Sequence, residues 1–175
     1  MNIFKSMGVV VGIVLGLIIC VVFFKFANKD HKARSMYDER QQEVRGRGYK
    51  AAFYTAIILE AVMLILYFGE IPLPFDPYMS HAMVIFISCT VLACYTIWHD
   101  AYWGLNNDRR KYYYTLGVTV FLNAIPVVMT AVNGELIENG KLSSVFVNLL
   151  VLVMLAVIGI VMLVRDRMDR NAEKE

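Results

Sequence analysis

Charged residues are scarce in this sequence. They make up 18% of its 175 residues, whereas a soluble domain of ordinary composition carries about 25%. The net charge is only +2, which is too small to predict a nucleic-acid-binding surface. Hydrophobic residues, by contrast, make up 58% of the chain. The composition therefore argues against an ordinary soluble domain and indicates an integral membrane protein whose first partner is the lipid bilayer.

Cysteine and histidine are also scarce, and their positions indicate no site. Three cysteines occur, all inside apolar runs: Cys20, Cys89 and Cys94. They form no Cys-x-x-Cys pair, so neither a disulfide framework nor a thiolate metal site is predicted. His99 and Asp100 are adjacent and would point about 100° apart on a helix, while His81 is predicted on the opposite side of the membrane. No metal, cofactor or catalytic group is therefore predicted.

Five long apolar runs fill most of the chain. About 20 apolar residues at helical rise cross the hydrocarbon core of a bilayer, so each run is predicted to be a spanning helix. The predicted spans are Met7–Phe26, Ala51–Phe68, Ser80–Tyr102, Tyr112–Val132 and Ser144–Val164. The first run is too long for the apolar core of a signal peptide and no cleavage site follows it, which favours a retained helix. The predicted fold is all-α, a single membrane domain (1–175) built as a bundle of five helices.

Lysine and arginine are sorted to one side of this arrangement. Fifteen of the 17 lie within residues 25–50, 109–111 and 165–174, and the other two are Lys5 and Lys141. Loops rich in these residues stay in the cytoplasm, so the segment 27–50 and the tail 165–175 are predicted to be cytoplasmic. With five spans, the N-terminus is predicted outside and the C-terminus inside, in the cell membrane.

Small residues form a stripe along the first predicted span. Gly8, Gly12 and Gly16 recur every four residues, and Cys20 continues the series. Such a stripe lets two helix backbones approach closely, which is one way that helices associate in lipid. Two interpretations stay open: pairing between copies of the chain in a homo-oligomer, or packing against another span of the same chain.

Glu60 is the one acidic or basic residue well inside a predicted span, about 15 Å from its inner boundary. A carboxylate at that depth costs about 2.5–3.5 kcal/mol on insertion scales, so it should face protein or water. The same depth on other spans holds Ser88, Thr90 and Asn123, and Pro126 lies one turn beyond Asn123. These five residues define a candidate polar membrane site. One interpretation is that the site serves proton-coupled transport or binds a polar ligand. The other is that Glu60 is protonated and holds helices together by a hydrogen bond.

The most distinctive hydrophilic stretch precedes the second span. Candidate functional residues there are Asp38, Glu39, Arg40, Gln41, Arg45 and Gly46, with Asp100 and Asn106 in the second inner loop. The mixed charge argues against a purely lipid-binding basic patch. The second loop also offers two aspartates, Asp100 and Asp108. We expect one of them to pair with Arg45 or Arg47, which would lock the inner face or present a docking surface.

The same stretch is predicted to be helical. Glu43 and Arg47 are spaced for an ion pair one turn apart, which favours a helix leading into the second span. Gly46 and Gly48 are expected to weaken this helix and to form an elbow.

Two motifs resemble those of a known group of proteins. The stretch Tyr-Asp-Glu-Arg-Gln at 37–41, with Arg45-Gly46 after it, resembles a juxtamembrane motif of small multi-span membrane proteins from Gram-positive bacteria. The residues Asp100-Ala101-Tyr102, followed by Gly104-Leu105-Asn106, are similar to the inner-loop motif of that group. The resemblance implies a bacterial cell membrane and a bundle of five helices or a similar number. It implies no activity.

The leading functional hypothesis is a non-enzymatic membrane protein for interaction or regulation, acting through its charged cytoplasmic face. Its loops are too short to form a soluble catalytic domain, and its spans lack the paired acids or histidines typical of membrane-embedded enzymes. A homo-oligomer or another membrane protein is the expected partner, and nucleic acid is not. The alternative is a small proton-coupled transporter or channel with its site at Glu60, Asn123 and Pro126. An odd span count without matching interrupted helices disfavours that alternative.

Overall fold

The computed structural model describes residues 14–16, 18–19, 21–22, 36–105, 109–138 and 140–172. The chain divides into two compact units, Met1–Met36 and Tyr37–Glu175. In the first unit, every described residue from 14 to 22 is helical. Gly16 has open space where a Cβ would point, whereas Gly8, Gly12 and Cys20 lie outside the described residues. The glycine stripe and its role in pairing therefore stay predictions.

The second unit consists of four long helices and one short ribbon. The helices are α1 (Glu39–Phe68), α2 (Pro77–Trp98), α3 (Arg109–Asn133) and α4 (Phe146–Ala172), and the ribbon pairs β1 (Ile137–Glu138) with β2 (Lys141–Leu142). The strands are antiparallel, with Ile137 opposite Leu142. All four helices are long and apolar enough to cross a membrane. The prediction of long apolar helices is confirmed for these four, and the first predicted span lies largely outside the described residues.

The four helices are not arranged in chain order. Helix α1 packs against α2, α2 packs against α4, and α4 packs against α3. The end of the bundle at Glu39, Trp98, Arg109 and Ala172 is called the inner end below, after the predicted orientation, and the opposite end is called the outer end. The best-buried apolar side chains near the inner end are Ile97, Trp103, Ile158 and Met162. Along the rest of the bundle many apolar side chains stay exposed, such as Ile65 at 68% and Phe121 at 67%. Exposed apolar surface of this extent suits a hydrocarbon solvent better than water.

Helix α1 begins twelve residues before the predicted span, at Glu39. Asp38 caps it, because its side chain accepts a hydrogen bond from the Gln41 N–H at 2.6 Å while the Gln41 side chain accepts one from the Asp38 N–H. This reciprocal pair is a capping box. The predicted Glu43–Arg47 ion pair is present at 2.6 Å. The first 12 residues of α1, Glu39–Lys50, are called the α1 extension below.

The predicted elbow at Gly46 and Gly48 is wrong, because α1 runs through both residues without a break. Gly48 serves a different purpose. A Cβ built there would lie 3.2 Å from side-chain atoms of Leu92 and Tyr95 and 3.3 Å from one of Thr96. Glycine at this position therefore lets the α1 backbone pack closely against α2, and the packing offsets the low helix propensity of glycine.

Helix α2 ends at Trp98, four residues before the predicted end of its span at Tyr102. Two hydrogen bonds close its last turn, from the Ala101 N–H to the Thr96 carbonyl at 2.8 Å and from the Asp100 N–H to the Ile97 carbonyl at 3.1 Å. This pattern is a Schellman motif with Asp100 at the left-handed position, φ +59°. Hydropathy did not reveal the stop because apolar residues, 101–103, follow directly after His99 and Asp100.

At the outer end of the bundle, the α1–α2 loop contacts the loop between α3 and α4. Helix α3 ends in a Schellman motif at Gly134, φ +74°, as its Asn-Gly dipeptide predicts. The ribbon that follows reaches the α1–α2 loop, because the Leu142 N–H donates to the Pro74 carbonyl at 2.7 Å. Lys141 also pairs with Asp76 at 2.7 Å. The outer loops therefore form one connected cap.

Candidate functional site

One face of the α1 extension carries the residues that hold it to the rest of the bundle. Gln41, Arg45 and Gly48 recur at helical spacing and all point toward the α2 side. Gln41 is 8% exposed. Its side-chain amide donates to the Asp100 carbonyl at 3.0 Å and to the Trp103 carbonyl at 3.3 Å. The opposite face of the extension is exposed.

Two arginines of the α1 extension add further bonds to the same backbone. Arg40 donates to the His99 carbonyl at 3.4 Å, and Arg45 donates to the Ala101 carbonyl at 3.3 Å. The Arg45 guanidinium also lies 4.1 Å from the centre of the Tyr37 ring. The carbonyls at a helix C-terminus carry partial negative charge and lack partners within the helix. The extension therefore bonds the backbone carbonyls of the turn that follows α2.

The carboxylate of Asp100 points the other way, toward α3 and α4. It accepts hydrogen bonds from Arg109 at 3.4 Å and from Arg165 at 3.3 Å. A non-glycine residue with positive φ is uncommon, although aspartate tolerates it better than most. The backbone carbonyl of Asp100 therefore contacts α1, while its carboxylate contacts α3 and α4.

Arg109 lies at the centre of an ion-pair network. Its guanidinium pairs with Asp166 at 3.2 Å and Asp169 at 3.1 Å in addition to Asp100. Arg165 pairs with Asp169 at 3.2 Å. Burial lowers the pKa of Arg109, but the hydrogen bond that Arg109 donates to Asp169 and the charges of the three aspartates outweigh that effect and raise the pKa above its usual value.

Together these contacts define the inner network, which consists of Gln41, Arg45, Asp100, Arg109, Arg165, Asp166 and Asp169. It joins all four helices of the second unit, because α1 and α4 meet the α2–α3 connection from different sides. Trp103 lies beneath it, 5% exposed, with the Tyr112 ring 4.9 Å away and the Arg109 guanidinium 5.7 Å away. The arrangement is suited to holding helix ends in fixed positions.

The two inner segments are in contact as predicted, but the predicted pairing of Asp100 with Arg45 or Arg47 is wrong. Arg45 bonds the Ala101 carbonyl rather than the Asp100 carboxylate, and Arg47 pairs with Glu43. Asp100 pairs instead with Arg109 and Arg165. The physical reason is the left-handed turn at Asp100, which directs its carbonyl and its carboxylate to different neighbours. Asp108 and Asn106 lie outside the described residues.

The other motif residues have varied positions. Glu39 and Gly46 are exposed, and a Cβ at Gly46 would meet open space. The sequence predicts a charged cytoplasmic tail that contains Arg165, Asp166 and Asp169. Their spacing of three and four residues on a continuing helix is the signal that places them on one face with Arg109.

The structure does not bring the five candidate residues of the polar membrane site together. Glu60 on α1 meets His81 on α2, with 3.0 Å between Oε1 and Nδ1. Asn123 on α3 instead accepts a hydrogen bond from Asn148 on α4 at 3.3 Å. The predicted equal depth is wrong for α2, because Glu60 meets His81, which precedes Ser88 by seven residues and Thr90 by nine. In addition, α2 and α4 lie between α1 and α3 in lateral order.

The remaining three candidates lie apart from Glu60 as well. Thr90 donates to the Phe86 carbonyl of its own helix at 2.7 Å. Ser88 is buried, and its hydroxyl has no hydrogen-bond partner among the described residues. Pro126 lies inside α3. A single transport site at Glu60, Asn123 and Pro126 therefore lacks the geometry that it needs.

Neither a protein-family model, nor a curated protein, nor a solved structure matches this chain. The functional proposal therefore depends on the geometry of the chain itself.

Replacement of Gln41 by alanine is expected to lower the free energy of unfolding by about 1–2 kcal/mol, because one buried and one partly buried carbonyl lose this donor. Unfolding in mixed micelles of a mild detergent and SDS, followed by far-ultraviolet circular dichroism, measures the change. The matched control is Gln42→Ala, since Gln42 is exposed and its side chain bonds only the nearby Tyr37 carbonyl. Equal losses in the two variants would contradict the role assigned to Gln41.

Proposed function

We propose that this protein is a non-enzymatic, five-span membrane protein that docks a cytoplasmic protein partner on the inner ends of its helices. Its N-terminus lies outside and its C-terminus lies in the cytoplasm. The distribution of lysine and arginine supports this orientation. The observation that carries the proposal is the inner network, which fixes the α1 extension against the bundle and leaves its charged face free.

The free face of the α1 extension offers charges of both signs. Glu39, Glu43, Arg47 and Lys50 are all exposed. Glu43 and Arg47 pair with each other while 66% and 67% of their side chains stay exposed. Exposed pairs of this kind contribute little to stability. A rigid helix face with charges of both signs favours a partner protein whose own surface charges have the complementary pattern.

Rigidity supports docking because it lowers the entropy cost of binding. Helical segments that project from a bundle without contacts would lose conformational freedom when a partner binds. Here the extension is held by buried Gln41, by Arg45 and by the close packing at Gly48. The docking face is therefore preorganised before the partner arrives.

A photocrosslinking amino acid in place of Glu39 is expected to give one discrete adduct with a cytoplasmic protein in living cells. A charge exchange, Glu43→Lys with Arg47→Glu, retains the pair within the helix but reverses its pattern. We expect the adduct to fall at least tenfold in this variant while the helical content stays unchanged. The readout is the adduct yield after denaturing purification.

The control is the same crosslinker in place of exposed Glu135, which lies at the outer end of the bundle. It is expected to give no cytoplasmic adduct. Cytoplasmic adducts from position 135 and none from position 39 would show that the protein has the opposite orientation to the one proposed. Adducts with lipid alone, or a protein adduct unaffected by the charge exchange, would refute the docking proposal. An adduct with a second copy of the chain would identify the partner as itself.

A further inference from the structure

A cleft of about 810 Å³ opens at the outer ends of α1 and α2. The α1–α2 loop and Lys141 of the ribbon complete its walls. Most of the lining is apolar or aromatic, including Met63, Leu64, Tyr67, Phe68 and Phe75. Ligand sites in proteins usually have volumes of about 300–1,000 Å³ and walls of this character. The cleft is therefore large enough for a drug-sized molecule.

The polar groups of this cleft lie at different depths. Glu60 lies eight residues before the end of α1, which places it roughly 12 Å below the outer end of that helix. It is bonded to His81, and 40% of its side chain remains exposed. Glu70 lies in the loop at the cleft mouth, exposed and outside any ion pair among the described residues. A ligand in the cleft can thus meet one carboxylate inside and another at the mouth.

The charges of the cleft do not cancel. Lys141 is the lining residue with a permanent positive charge, and it is already paired with Asp76 at 2.7 Å. His81 is then the remaining basic residue in the lining, and it is bonded to Glu60. With both glutamates ionised, the cleft is negative whether the imidazole is neutral or protonated, because two carboxylates exceed one imidazolium. An anion would meet repulsion there, whereas a cation would be attracted.

We propose that the outer cleft binds a lipophilic monovalent cation, of the class of amphipathic amines and quaternary ammonium compounds. The carboxylates of Glu60 and Glu70 attract the charge. The rings of Tyr67, Phe68 and Phe75 offer π faces to the cation and apolar surface to its hydrocarbon groups. This site is separate from the proposed docking face, which lies at the other end of α1.

Tetraphenylphosphonium and tetraphenylborate test the charge preference directly, since they have nearly the same shape and opposite charge. The protein is placed in nanodiscs of zwitterionic phosphatidylcholine, and binding is measured by equilibrium dialysis as the excess over empty nanodiscs. We expect saturable binding of the phosphonium and at least tenfold weaker binding of the borate. Equal affinity for the two ions, or no saturable binding of the phosphonium, would overturn the proposal.

Three variants locate the site. Glu60→Gln and Glu70→Gln are each expected to weaken phosphonium binding by about three- to tenfold, as expected for the loss of one partly exposed charge. Glu135→Gln removes an acid at the same end of the molecule but outside the cleft, and it is expected to leave binding unchanged. If Glu60→Gln does not fold, Glu70→Gln decides, because Glu70 is an exposed loop residue. Unchanged affinity in the folded glutamate variants would overturn the assignment.

Discussion

Arg109→Met is expected to lower the free energy of unfolding by about 2–3 kcal/mol, one of the two largest losses among the substitutions considered. Arg109 pairs with Asp100, Asp166 and Asp169. Without it, Arg165 would remain as an arginine that pairs with Asp100 and Asp169, and Asp166 would lose its ion pair with Arg109. Removing one partner of a fully buried pair costs about 3–5 kcal/mol. The value is smaller here because 42% of the Arg109 side chain is exposed and solvent screens the charges.

Two further variants separate the network from a general effect of losing an arginine. Arg47→Met removes an arginine whose only pair is exposed, with Glu43, and should cost no more than about 0.5 kcal/mol. Arg109→Lys keeps the charge but loses the planar fork, whose one terminal nitrogen reaches Asp166 and Asp169 while the other reaches Asp100, so an intermediate loss is expected. SDS-induced unfolding followed by circular dichroism gives all three values. A loss at Arg109 no greater than that at Arg47 would refute the central position of Arg109.

Gly48→Leu is expected to destabilise the protein by about 2–3 kcal/mol, because a larger side chain would overpack the contact between α1 and α2. Even a Cβ at this position would lie 3.2 Å from atoms of Leu92 and Tyr95. The helices must then separate or the α2 side chains must leave their rotamers. The same unfolding measurement in mixed micelles reports the loss.

Gly46 provides the matched control two residues earlier on the same helix. A Cβ there meets no atom within 4 Å, so Gly46→Leu is expected to stabilise the helix by up to about 1 kcal/mol through propensity alone. Opposite signs at the two glycines would establish that Gly48 is a packing position. A gain in stability at both positions would show that α1 and α2 are not closely packed at this point.

Much of the helical content followed from hydropathy and local spacing. Four apolar runs predicted four of the described helices, because a segment that pairs its backbone groups internally does so wherever its neighbours lie. The Glu43–Arg47 pair and the turn after Asn133 were also predictable, since each depends on residues within one turn of each other. The proposed five-span count and orientation depend on the same kind of local reasoning.

The candidate sites required information that local patterns do not contain. Depth counting predicted Glu60 and Asn123 at one level of the membrane. In the structure α2 and α4 lie between the helices of these two residues, and Glu60 bonds His81 instead. The stop of α2 at Trp98 was hidden because apolar residues follow directly after His99 and Asp100, and the left-handed turn at Asp100 is visible only in the folded chain. That turn directs the backbone of Asp100 to Gln41 and its carboxylate to Arg109.

By itself, the amino-acid order determined where the chain is apolar enough to span lipid, where its cations collect, and which neighbours pair within one helical turn. These properties depend on composition and on separations of a few residues. Tertiary packing alone decided which helix lies beside which, and therefore that the inner network and the outer cleft exist. Their residues are far apart along the chain, and only the lateral order of the helices brings them within bonding distance.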